Sequence, residues 1–153
     1  MDNLHSVYVA FSIVFHLMLC IHFAVRKWHF QTTIRWGWLV YALSLPALGL
    51  SVWLKNQGVE WFFWIAGILY FIWSLFGFGV EYIFRIEWRN SWDWPILIPY
   101  VGMYLAVCMF TWWPVARVSK TAWFAITVLF IIGTILNISS HHPNKQDTIT
   151  SQT

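Results

Sequence analysis

The chain has 153 residues, of which 59% are apolar and only 10% charged. Soluble domains carry about a quarter charged residues, so this balance points to a membrane protein rather than a soluble domain with an oversized core. The formal charge of +3 is small and the basic residues fall between apolar runs, which leaves no footprint for nucleic acid.

Uninterrupted apolar stretches occupy residues 4–25, 37–54, 61–80, 94–113 and 121–138, and none contains Asp, Glu, Lys or Arg. Each is close to the ~20 residues that cross a hydrocarbon core as a helix. Backbone groups in lipid must pair within their own segment, and no short alternating strands suggest a barrel. The expected fold is all-α, a polytopic bundle of five transmembrane helices over residues 1–141. A polar tail, 142–153, is expected to be disordered in the cytoplasm.

The first stretch begins after Asp2 rather than a basic region and ends at Arg26-Lys27 without a small-x-small cleavage site, so it reads as a retained helix. His5, Tyr8, Ser12 and His16 share one side of it. His16 falls ~13 Å from the inner end, near mid-bilayer. In the second stretch Pro46 sits mid-helix and predicts a kink.

The third stretch carries the most informative pattern. Tyr70, Ser74, Gly77, Glu81, Arg85 and Trp88 recur at steps of three and four and share a helix face. Glu81 and Arg85 are i,i+4 partners. One reading makes them an interfacial ion pair closing a long helix. The other makes Glu81 the acid, proton carrier or ligand anchor of a polar-lined cavity that opens to the cytoplasmic side.

Pro95 and Pro114 bracket the fourth stretch, where a helix start and stop tolerate them, and Pro99 falls early within it. Tyr100, Tyr104, Cys108 and Thr111 line one of its faces, and Gly102 with Ala106 forms a small-xxx-small pair. In the fifth, Thr127, Thr134, Asn137 and His141 lie along a broader face. Such stripes form helix–helix contacts or line a shared cavity.

Eleven of the thirteen tryptophans lie at or just beyond stretch ends, as rings at headgroup level do; Trp64 and Trp73 are internal. With the N-terminus outside, the cytoplasmic side receives Arg26, Lys27, Arg35, Arg85, Arg89 and Lys145, and the outer side Lys55, Arg117 and Lys120. This excess sets the expected orientation, with the C-terminus inside. Cys20 and Cys108 differ by roughly 13 Å in depth, too far for a disulfide, and are expected to be free thiols.

His22 and the His141-His142 pair share a membrane side, but no Cys-x-x-Cys-His or His-Glu-x-x-His occurs. No haem, metal or other cofactor is expected. Soluble-enzyme signatures are absent as well. Five spans, this length and abundant tryptophan resemble the architecture of the tryptophan-rich sensory (translocator) proteins. That family's Trp-x-Pro-Pro-type motif after the first helix is missing, since the chain there reads Arg26-Lys27-Trp28-His29-Phe30-Gln31.

The leading expectation is a membrane protein that binds a lipophilic small molecule or a partner helix in a polar-lined groove, with the bilayer and a second copy of the chain as further partners. His16, Tyr70, Ser74, Tyr100, Tyr104 and Asn137 are its candidate ligand contacts. The alternative is a small membrane enzyme with Glu81 as general acid or base and Arg85 as its partner. A proton-coupled carrier would use the same glutamate.

Overall fold

The computed structural model describes residues 3–86 and 93–140, and among these the backbone is helical, with no strand. Trp88, Arg89, His141, Lys145 and the expected tail lie outside the described residues. Five helical stretches are long and apolar enough to cross a membrane: Asn3–Trp28, Trp38–Asn56, Trp61–Ile83, Trp94–Val118 and Lys120–Ser139.

The first is one helix, α1 (Asn3–Trp28), with Arg26 and Lys27 in its last turn, where cations meet the negative end of the helix dipole. The residues that follow, expected as a connection, wind into α2 (Phe30–Trp36), which buries no side chain.

The second stretch is divided at Leu43 into α3 (Trp38–Ala42) and α4 (Ser44–Asn56). Pro46 explains the place of the break. Proline has no N–H to offer the carbonyl of Ala42, four residues back, and its ring crowds that carbonyl. The kink therefore falls one turn before the proline. Two hydroxyls answer carbonyls in the disturbed turn: Ser44 Oγ donates to the Tyr41 carbonyl at 2.6 Å, and the Tyr70 hydroxyl donates to that of Val40.

The third stretch, α5 (Trp61–Phe78), does not stop at residue 80. It continues as a π turn over Gly79–Ile83, closed by Phe84 N–H donating to the Gly79 carbonyl at 2.9 Å. Arg85 follows in the left-handed region, at φ 52°. The fourth stretch comprises α6 (Trp94–Trp112) and the single turn α7 (Val115–Val118), separated at Pro114. The last, α8 (Lys120–Ser139), is capped by Ser119, whose hydroxyl accepts from Ala122 N–H at 3.2 Å.

Packing follows the small and aromatic residues. α4 lies against α5 where Gly67 meets Ala47 and Ser51; a side chain at Gly67 would collide with the Ala47 carbonyl. α1 packs on α8, and α5 also packs on α6. Phe15, Leu19, Tyr70, Trp73 and Val107 fill one half of the interior, and Tyr8, Leu54, Phe63, Val115 and Ile126 the other. Large aliphatic residues face outward along the spans, as in Val14, Leu45, Ile72, Ile98 and Ile135. Cys20 and Cys108 are both free thiols.

Candidate functional site

At the end of the bundle where α1 finishes, a cavity of about 470 Å³ is lined by residues of all five spans. Clefts of ~300–1,000 Å³ with mainly apolar walls and a few placed polar groups are the usual form of a small-molecule site.

α1 contributes Leu19, His22, Phe23 and Arg26, successive turns of one helical stripe. The α2–α3 region adds Phe30, Thr33, Ile34, Gly37, Val40 and Tyr41. The third span gives Trp73, Glu81 and Tyr82; α6 gives Leu97, Tyr100, Val101, Tyr104 and Leu105; α8 gives Phe130, Thr134 and Asn137. Rings dominate the deeper wall. Trp73 is 4% exposed and lies 5.4 Å from Tyr100, 5.7 Å from Tyr104 and 6.0 Å from Tyr41, centroid to centroid.

Glycine makes this crowding feasible at two points. A side chain at Gly77 would strike the rings of Tyr41 and Tyr100, whose hydroxyls stand 3.4 Å apart. At Gly37 the missing side chain leaves room for the Tyr82 hydroxyl. Tyr82 in turn stacks on Phe78 at 5.1 Å.

Glu81 reaches the cavity from the π turn. Such turns carry i→i+5 bonds and recur at functional sites, where they re-aim side chains. Their wider winding also disturbs the i,i+4 alignment expected between Glu81 and Arg85. Arg85 is exposed beyond the helix end and is not among the lining residues, whereas Arg26 lines the cavity with Glu81. The cationic side chain sharing this space thus comes from the first span.

Of the other sequence-derived candidates, Tyr100, Tyr104 and Asn137 line the cavity. His16, Tyr70 and Ser74 are buried nearer the bundle centre and do not line it. Tyr70 bonds to the backbone of Val40. His16 Nδ1 lies 2.9 Å from the Ser12 carbonyl, and its Nε2 is buried without a partner, as is the Ser74 hydroxyl. On the same face of α1, the Tyr8 hydroxyl donates to the Phe110 carbonyl, tying the first span to the fourth. Gly102 stands in open space, with no neighbour for the small-xxx-small pair.

The sequence patterns passed over Arg26, Thr33, Tyr41 and Tyr82 as cavity residues and weighed His22 only for haem or metal. The stripe Leu19, His22, Phe23, Arg26 was available at steps of three and four, but its charged end reads equally as a stop signal among headgroups. No group of three or more His, Cys, Asp or Glu suited to a metal ion occurs among the described residues. No family model matches the chain, and neither a curated protein nor a solved structure matches it.

Proposed function

We propose that the protein is a multi-pass integral membrane protein that binds a lipophilic small molecule with a polar head in this cavity. The carrying observation is the convergence of all five spans on one space, with aromatic walls and with Arg26 and Glu81 in its lining. Five apolar helices with outward-facing aliphatic residues support insertion in a bilayer. The excess of Lys and Arg supports an N-terminus outside and the cavity at the cytoplasmic side.

Trp73, Tyr104 and Phe130 hold the apolar body of the ligand. Arg26, Glu81 and His22 receive its head, and Tyr100 and Asn137 add groups that both donate and accept hydrogen bonds. Among the described residues Glu81 is the one carboxylate that lines the cavity, which favours holding a ligand over two-carboxylate acid–base chemistry.

A photoactivatable fatty acid tests this reading in detergent. Wild-type protein should be labelled on peptides bearing Trp73 or Tyr104, and Thr134→Trp, which fills the space, should lose that labelling while staying folded. Labelling spread over outward residues alone, unchanged by Thr134→Trp, would refute it.

A further inference from the structure

The fourth and fifth spans are fastened together at one end and stand apart at the other. At the α7 end, Trp112 Nε1 donates to Thr127 Oγ1 at 2.7 Å, and the rings of Trp112 and Trp123 lie 5.4 Å apart. Toward the opposite end α6 leans on α5 and α8 leans on α1, so the two meet little directly. The cavity lies between them there, with Tyr104 and Leu105 on one wall and Phe130 and Thr134 on the other.

On α6, two lining residues also face outward, as Phe30 and Ile34 do at the α2 end. Val101 is 39% exposed and Leu105 47% exposed. They follow Trp94, the first residue of α6, by seven and eleven positions, which at ~1.5 Å per residue sets them about 10 and 16 Å into the span. That depth is hydrocarbon, not headgroup. A wall that is open there faces lipid rather than water.

We propose that the cavity opens sideways into the bilayer between α6 and α8, with Val101 and Leu105 on its rim, and admits a one-tailed amphiphile dissolved in the adjoining leaflet. This rests on the binding role given to the cavity above. The tail enters past Leu105 and Thr134 and lies against Trp73, Tyr104 and Phe130. A volume of about 470 Å³ suits a single apolar body and excludes a whole two-chain phospholipid. The head, received by Arg26, Glu81 and His22, also meets Asn137, whose carboxamide donates and accepts, and Thr33, whose buried hydroxyl has no partner. A head carrying both a hydrogen-bond donor and an acceptor satisfies these groups.

The test uses the full chain in phosphatidylcholine liposomes and a diazirine-bearing fatty acid supplied in the bilayer. The rate of labelling at Trp73 and Tyr104 peptides is followed by mass spectrometry. Leu105→Trp narrows the lateral opening at an outward position, and Leu105→Phe is the milder version. Ile34→Trp narrows the end near α2. Lateral entry predicts labelling slowed about tenfold by Leu105→Trp, and slowed less by Leu105→Phe and by Ile34→Trp. A wild-type rate in both Leu105 variants, or slowing by Ile34→Trp that equals or exceeds that of Leu105→Trp, overturns the route and leaves the binding site standing. Absence of interior labelling in the wild-type protein overturns the binding site itself, and the route with it.

Discussion

The Tyr70 hydroxyl donates to the backbone carbonyl of Val40, joining the third span to the second beside the break at Leu43. Both residues are buried, so removing the hydroxyl leaves a buried carbonyl short of a donor. Tyr70→Phe keeps the ring and removes only this bond. The expected loss is about 1–3 kcal/mol of stability, read as a lower midpoint of thermal unfolding in detergent. An unchanged midpoint would mean that the carbonyl finds another donor.

Gly67 is where α4 and α5 come closest, and a methyl there would overlap the Ala47 carbonyl oxygen and the Ser51 hydroxyl. Backbone cannot yield as a flexible side chain does, so Gly67→Ala should cost about 1–3 kcal/mol or more. Gly49 has nothing within 4 Å of its missing side chain. Gly49→Ala should therefore leave stability level or raise it by up to ~1 kcal/mol through helix propensity. Melting both variants beside the wild type checks the contrast.

Ser74 lies on the face read as functional, yet its hydroxyl is buried without a partner and outside the cavity lining. An unpaired buried hydroxyl is a standing cost. Ser74→Ala is expected to keep ligand labelling intact and to hold or raise the unfolding midpoint. Lost labelling would place Ser74 at the ligand.

Glu81 and Arg85 should behave differently rather than as a unit. Glu81→Gln should weaken labelling of the cavity while leaving folded yield near wild type, because the amide keeps the shape but loses the charge. Arg85 is exposed with a left-handed backbone that costs an ordinary residue ~1–2 kcal/mol. Arg85→Gly should thus preserve binding and match or exceed wild-type stability. Equal destabilisation by both changes, not exceeded in the double variant, would restore the ion-pair reading.

If all five spans cross the bilayer as proposed, the two ends of the chain lie on opposite sides. A single cysteine at the N-terminus, in a Cys20→Ala, Cys108→Ala background, should react with a membrane-impermeant maleimide in intact cells, and one at the C-terminus should not. Two reactive ends would mean an even number of crossings.

Apolar runs reveal the spans because lipid imposes one requirement on every residue of a helix exterior. The five expected stretches reappear with ends shifted by a few residues. What separated expectation from structure was local backbone detail. Pro46 was legible as a kink, but its break appears at Leu43 because the clash is with a carbonyl one turn earlier. The π turn at Gly79–Ile83 has no comparable signal, so an α-helical spacing joined Glu81 to Arg85. The faces of α5 and α6 pointed to Glu81, Tyr100 and Tyr104 at the cavity, since periodicity reports which side of a helix turns inward. It does not report depth. His16, Tyr70 and Ser74 share inward faces with cavity residues but sit further into the bundle.

The turn at Gly79–Ile83 amounts to one residue more than an α-helical path would use. Deleting Gly79 would restore ordinary winding and close the same turn with one residue fewer, so that what lies beyond it would keep nearly the same angle about the helix axis. The carboxyl of Glu81 and the ring of Tyr82 would then still face the chamber, and the apolar run from Trp61 to Phe78 would keep its packing. The extra residue is therefore slack in the winding, a place where the span can change length by one residue without turning Glu81 away.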